Sequence, residues 1–258
     1  MSTVLYEIDE HIAYVTINRP EVLNCFNYET LVKLKEVVSD IHANKQVRVV
    51  IFTGAGDKAF SAGADLKERK TLTEVEVRRN VKAIRDVFND IAALPQPTIA
   101  AMNGYAFGGG FELALACDFR IAVSEAEMGL TELKWAIIPG AGGTQRLPRL
   151  IGLSKALEMI LMSKKVSASE GLELGILNKV VPREQLMDAC RELAIEMLKN
   201  GPLALQQAKF AIYKGLEVDL QTGILIESKC YEVIIPTKDR IEALEAFAQK
   251  RPPRFTGE

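Results

Sequence analysis

Histidine is scarce in this chain: 258 residues carry only His11 and His42. Neither stands in a catalytic-looking setting, which argues against a Ser-His-Asp triad, and the pair completes no metal set. The four cysteines, Cys25, Cys117, Cys190 and Cys230, lie far apart and match no zinc spacing. They read as free thiols of a reducing compartment. Neither sign of charge is in excess: 32 basic against 34 acidic residues leave a net charge of −2. Such a balance gives no general pull toward nucleic acid or anionic membranes. Long apolar runs are missing too. The longest uncharged stretch includes 94–111, which is broken by Pro95, Pro97, Asn103 and four glycines, so it does not read as membrane-spanning. The opening MSTVLYEIDE has no basic-plus-apolar signal pattern and is not the arginine-rich, acid-poor start of a transit peptide, which leads us to expect a cytoplasmic protein. Phosphate motifs also fail. GAGGTQ lacks the third glycine of a dinucleotide fingerprint, and there is neither a Walker A sequence nor a GxSxG elbow.

What is present is an alternation of strand-like and helix-like segments over about the first 180 residues, followed by helices alone. Val4–Ile8 and Ile12–Asn18 read as two short strands. Asn27–Asn44 has helical spacing, with Leu31, Leu34, Val37, Val38 and Ile41 on one face. Val47–Thr53 (VRVVIFT) reads as a buried strand and 54–63 as loop. Thr73–Leu94 is a long amphipathic helix, whose Thr73 and Glu76 suit a capping box. Pro97–Met102 is another strand, Gly108–Cys117 a helix, and Phe119–Val123 a strand. IIPGAGGTQRL is a turn opening into a helix, and Leu177–Val181 is a last short strand. From Arg183 onward the pattern predicts helices over 183–199, 203–216, 219–234 and 238–250. The fold class is therefore α/β with mostly parallel pairing. The tail carries apolar stripes such as Ile241, Leu244, Phe247 and Ala248, which need a surface to cover them.

Three segments carry chemistry-bearing residues. In NGYAFGGGFELALACD, Glu112 sits among Phe111, Leu113, Ala114, Leu115 and Ala116. An ionised carboxylate there is costly unless compensated. It either reaches solvent or a cation, or it faces a polar pocket. Its i+3 and i+4 neighbours are apolar, so its face is no solvent face. It also lies one turn after Gly108, Gly109 and Gly110, where a helix start offers unpaired N–H donors and a positive dipole end. Such donors can receive a developing oxyanion; the triple glycine also fits a plain strand-to-helix packing turn. FSAGADLKE offers a second close-approach glycine, Gly63, or an ordinary loop. TELKWAIIPGAGGTQRLPR supplies a second acid, Glu132, and a glycine turn at Gly140. Two carboxylates on one cavity divide acid and base work, because burial and repulsion separate their pKa values; an exposed Glu132 is the other reading.

Taken together, INRPEVLN, AFSAGADLKE, PTIAAMNGYAFGGGFELALACD and MGLTELKWAIIPGAGGTQRLPR resemble the enoyl-CoA hydratase (crotonase) family, over essentially the whole chain. The C-terminal stretch from GLEVDLQTGILIESKC to the end is similar to the AU-binding methylglutaconyl-CoA hydratase branch. The resemblance implies a crotonase-like spiral of ββα turns over 1–195. It implies a C-terminal helical trimerisation region over 196–258, assembled as a homotrimer or a dimer of trimers. It implies an acyl-coenzyme A substrate and reversible syn addition of water to a trans-2-enoyl thioester. By the same resemblance Ala64 and Gly109 match the oxyanion-hole positions, and Glu112 and Glu132 match the two catalytic carboxylates. Gly140 matches the glycine whose N–H helps hold the water. Ala62, Asp65 and Leu66 fall in the segment lining the coenzyme A. Tyr231 and Lys250 fall where the family's C-terminal helices meet its nucleotide end. Glu112 would deprotonate the water for attack at C3 and Glu132 would supply the proton to C2. Isomerases of the family tend to keep one of these acids, so holding both favours a hydratase.

No cofactor is implied beyond the coenzyme A of the substrate, no metal and no membrane. A rival substrate, 3-methylglutaconyl-CoA, carries a distal carboxylate that wants a cation, for which Arg69, Lys70 and Lys134 are candidates. RNA binding, suggested by that branch, requires a lysine-rich first long helix. Here Lys33, Lys35 and Lys45 are offset by Glu29, Glu36 and Asp40, and no nucleic-acid partner is expected.

Overall fold

The computed structural model describes residues 2–258. The described residues form two compact units, one of 2–94 and 98–191, the other of 95–97 and 192–258. The first opens with β1 (Val4–Asp9), β2 (Ile12–Ile17), α1 (Tyr28–Ala43), β3 (Val49–Gly54), β4 (Ala59–Ser61), α2 (Leu66–Arg69) and α3 (Glu74–Ala92). It continues with β5 (Thr98–Met102), β6 (Tyr105–Phe107), α4 (Gly109–Ala116), β7 (Phe119–Val123) and β8 (Glu127–Gly129), then a 3-10 turn at Glu132–Trp135. It closes with α5 (Gly143–Ile151), α6 (Leu153–Leu161), β9 (Val166–Ser167), α7 (Ala168–Glu173), β10 (Lys179–Val181) and the start of α8 (Leu186–Leu198). The rest of α8, with α9 (Pro202–Gly215), α10 (Leu220–Ile234) and α11 (Lys238–Ala248), makes up the second unit.

The apolar runs of the sequence become the large sheet, ordered β1-β2-β3-β5-β7-β10. Only its β1–β2 pair is antiparallel; the other four pairs are parallel. Parallel strands are covered on both faces, and the continuous VVIF and TIAAM runs fit that, with Val49–Phe52 and Thr98–Met102 all buried. The helix starts follow their capping chemistry. Asn27 accepts from the Thr30 amide to begin α1, and Thr73 with Glu76 forms the expected capping box of α3. α3 buries Ile84, Val87, Phe88 and Ile91, and Phe88 meets Phe26 edge-on at 5.5 Å. Burying one such side chain stabilises by about 1.5–3 kcal/mol relative to leaving it in water.

A second sheet, β4-β6-β8-β9, is not evident from the sequence pattern. Segment 54–63, expected as loop, contains β4. Strands of two or three residues are too short to show a period of two, so their tertiary pairing decides them. β4, β6 and β8 run parallel. Their carboxyl ends open in turn into Ala62–Ala64, Gly108–Gly109 and Leu130–Glu132. Three of the segments singled out in the sequence thus leave one edge of one small sheet. In open α/β sheets that edge is where ligands bind.

Candidate active site

The segment after β4 is held in place by its neighbours. The Phe26 amide donates to Gly63 O and the Asp65 amide to Phe26 O, both bridging Phe26 to Ala64. In an extended segment successive N–H groups alternate sides. The Ala64 N–H therefore faces the other way, and it has no hydrogen-bond partner among the described residues. Asp65 pairs with Arg19 at 3.1 Å and caps α2 through the amides of Lys67 and Glu68.

The second donor comes from the helix start after β6. Gly108 has φ 51° and ψ −124°, a backbone region that suits glycine and turns the chain sharply into α4. The first intrahelical bond there is Glu112 N–H to Gly108 O. The Gly109 N–H is left unpaired among the described residues. The two segments touch. A Cβ placed on Gly63 would lie 3.0 Å from the Gly109 nitrogen, and one on Gly109 would lie 3.7 Å from the Ala64 nitrogen. Two free amides thus lie against one another beside a buried helix.

All of α4 is buried, Glu112 included at 3 % exposure. Its Oε1 accepts from the amides of Ala141 and Gly143, both at 2.8 Å. Burial raises the Glu112 pKa, while those two amides and the Arg146 charge pull the other way. Oε2 has no protein partner among the described residues. The amides of Ala141 and Gly143 are not anticipated by the sequence reading. The signal is there, in the density of PGAGGT, since a glycine turn is where several N–H groups can converge.

Glu132 begins the 3-10 turn after β8. Its carboxyl lies against Gly108, where a Cβ would meet Oε1 at 3.3 Å. Oε2 is buried and has no hydrogen-bond partner. Burial first, then the Glu112 charge, pushes its pKa up to about 7. Its carboxyl therefore holds a proton well above the usual carboxylate range. The exposed-surface reading of Glu132 does not hold.

The remaining sequence candidates sit as follows. The Gly140 N–H is unpaired among the described residues, half-buried ahead of the Ala141–Gly143 turn. Ala62 is half-buried, with its N–H given to Leu23 O, and Leu66 is exposed on α2. Tyr231, exposed on α10, and Lys250, which follows α11 with φ 53°, belong to the helical unit. Arg69 is half-buried, whereas Lys70 and Lys134 are exposed. No cluster able to hold a metal and no helix long and apolar enough to cross a membrane occurs among the described residues.

The family model for enoyl-CoA hydratase/isomerase matches residues 7–258. The chain belongs to the enoyl-CoA hydratase/isomerase family. It is 52% identical over 256 residues to a Bacillus subtilis protein, YngF, whose name assigns it provisionally to the enoyl-CoA hydratases/isomerases. That alignment covers 99% of this chain and 98% of that protein. It is 48% identical to the human mitochondrial methylglutaconyl-CoA hydratase, covering 98% of this chain and 76% of that one. The crystal structure of an enoyl-CoA hydratase from Bacillus anthracis superposes with a TM-score of 0.97 at 47% identity, covering 99% of this chain and 100% of that one. The crotonase fold implied by the motifs is thus the fold of the chain.

Proposed function

We propose that this protein is an enoyl-CoA hydratase that reversibly adds water, syn, across a trans-2-enoyl thioester. One observation carries the reading: a carboxylate pinned by two amides and a second carboxyl enclosed with one oxygen unpartnered converge beside two unpaired amides. The amides of Ala64 and Gly109 donate to the thioester oxygen, where charge builds as the double bond is attacked. Donors fixed in place stabilise that charge more than they stabilise the ground state. Glu112, with Oε1 held by two amides, presents Oε2 to the water and takes its proton as oxygen bonds to C3. Glu132 gives its proton to C2. The Gly140 N–H helps hold the water. Ala62, Asp65 and Leu66 line the coenzyme A path, Asp65 chiefly by shaping the loop. Tyr231 and Lys250 would meet the nucleotide end of a coenzyme A, either in this subunit or in another one of the assembly. Coenzyme A arrives as part of the substrate, and no separate cofactor enters the chemistry.

We place the protein in the cytoplasm as a homotrimer or dimer of trimers, with no nucleic-acid or membrane partner. The helical region 196–258 leaves Leu216, Leu220, Leu225, Leu244 and Phe247 exposed, each at 60 % or more, which supports oligomerisation through that region. Lys33, on the first long helix, pairs with Glu36 at 2.9 Å, which weakens any basic stripe for RNA.

The test is direct. Purified protein and crotonyl-CoA should lose the conjugated-enoyl absorbance and form 3-hydroxybutyryl-CoA. No loss with any short enoyl-CoA would end the reading. A second substrate, 3-methylglutaconyl-CoA, is favoured by one observation beyond the human relative. Lys134 lies two residues after Glu132, exposed and without an ion pair among the described residues. A higher kcat/KM for 3-methylglutaconyl-CoA than for crotonyl-CoA, reduced by Lys134→Ala, would assign that substrate.

A further inference from the structure

Ala141 lies outside any strand or helix and Gly143 is the first residue of α5, yet both N–H groups must stay aimed at one carboxylate oxygen. Arg146 supplies a brace. It lies one turn into α5, and side chains on a helix lean back toward its N-terminus. One guanidinium nitrogen, NH1, donates to Ala141 O at 2.8 Å; the other, NH2, donates to Asn89 Oδ1 on α3 at 2.7 Å. The planar fork makes the two bonds from two separate nitrogens in a fixed geometry, where a lysine has only one nitrogen. Gly142 permits the close approach. It has φ 104°, and a Cβ there would fall 2.1 Å from Arg146 NH1. At Gly143 a Cβ would lie 3.0 Å from Glu112 Oε1. The turn is therefore fitted on one side to the guanidinium and on the other to the carboxylate.

We propose that Arg146 is a positioning residue for Glu112. It clamps the Ala141 carbonyl to Asn89 of α3, and so keeps the amides of Ala141 and Gly143 on Oε1 and leaves Oε2 for the water. The catalytic part of this inference rests on the hydratase reading; the brace itself does not. The charged groups facing Glu112 are Arg146 from α5 and Glu132 from the 3-10 turn. Removing the cation and loosening the amides both act to raise the Glu112 pKa.

The experiment compares Arg146→Ala, Arg146→Lys and Asn89→Ala in the full-length protein, by two readouts. The first is hydrogen exchange of the Ala141 and Gly143 amides, which needs no substrate. The second is the pH dependence of kcat and KM for crotonyl-CoA, in the wild-type and Glu112→Gln backgrounds. Arg146→Ala should speed exchange at both amides while leaving β3 and β5 amides unchanged. It should lower kcat about 10–100-fold with little change in KM, the scale expected when a reacting group shifts by about 1 Å. The acid limb of the pH profile should move to higher pH. Arg146→Lys and Asn89→Ala should show the same pattern in weaker form, so the inference stays open to test if Arg146→Ala fails to fold. In the Glu112→Gln background the further loss should be small, because the group being positioned is gone. Unchanged exchange at Ala141 and Gly143, or an equal loss in both backgrounds, would overturn the proposal. A wild-type protein that hydrates no enoyl-CoA would remove the hydratase reading instead, and the exchange data would still decide whether the brace exists.

Discussion

The stretch that bears Glu112 and the stretch that bears Glu132 solve the problem of an acid away from water in opposite ways. α4 is buried from end to end, and its one acid is held by two backbone amides at 2.8 Å. The 3-10 turn at Glu132–Trp135 has no fully buried residue, yet Oε2 of its acid is enclosed without a partner. Amides that donate to a carboxylate favour the anion; at Glu132 the backbone amides of Thr131 and Glu132 itself act the same way, but with less effect than burial and the Glu112 charge, which favour the neutral acid. The more deeply buried of the two is thus the better prepared to be charged. Burial alone would rank them the other way. The difference teaches that depth raises both pKa values and that donor geometry tempers the rise at Glu112, which helps to separate base from acid.

Exchanging the anion for an amide should expose this asymmetry most sharply. Glu112→Gln keeps an oxygen for the Ala141 and Gly143 amides, so the pocket should stay intact. It removes the base. We expect hydration to fall about 10³–10⁴-fold, the upper range for a positioned general base, with crotonyl-CoA binding nearly unchanged by calorimetry. Near wild-type turnover would make the comparison meaningless. Glu132→Gln should cost about 10²–10³-fold, because a neutral amide mimics the protonated acid in the ground state and fails only when the proton must move. A larger loss in Glu132→Gln than in Glu112→Gln would reverse the two roles.

Gly109→Pro probes the unpaired amide at the start of α4. Proline is best tolerated at the first position of a helix, where the N–H has no helical partner, and Gly109 holds that position in α4. The added ring meets Ile84 Cδ1, which lies 3.0 Å from where a Cβ on Gly109 would stand and is a flexible end able to shift. The substitution deletes one donor while leaving both acids. A drop in kcat of about 10²-fold is expected, as for loss of one oxyanion donor. A full rate would detach the amides from the chemistry.

Much of this arrangement is legible in the residues. The buried acid announces itself through apolar i+3 and i+4 neighbours, and the glycines through their position before a helix. The helix cap at Thr73 follows side-chain chemistry that is local by nature, so sequence finds it. The second sheet is not local. β4, β6 and β8 are three residues each, and they exist because each pairs with the next through non-local contacts. That sheet is what gathers Ala64, Gly109 and Glu132, so the spacing of the motifs could suggest a shared cavity but not build it. The donors on Glu112 are hidden for a related reason. Backbone amides look alike in every sequence, and only the path of the turn aims those of Ala141 and Gly143.

The pH profile sharpens the comparison at lower amplitude. With Glu132 at about 7, hydration should decline above that pH, by about tenfold per pH unit, as the acid loses its proton. Glu132→Gln should lack this alkaline limb while keeping the acid limb set by Glu112. An alkaline limb that survives the substitution would have to come from another group.

The smallest effect is on stability, and its sign is fixed by linkage. Glu132 binds its proton more tightly in the folded protein, at about 7, than at the ordinary value of 4.5. The folded state is therefore favoured fully below about 4.5, and that advantage is lost as pH rises from 4.5 through 7. Glutamine cannot ionise, so Glu132→Gln removes the loss. In urea unfolding the variant should match the wild type near pH 4 and exceed it at pH 8 by about 3 kcal/mol, at roughly 1.4 kcal/mol for each pH unit between the folded and unfolded pKa values. Glu112→Gln should show a smaller rise, because the amides of Ala141 and Gly143 already offset part of the cost of its charge. If the two variants gained equally at pH 8, the amides would be doing nothing to separate the two acids. The asymmetry would then have to arise from depth after all.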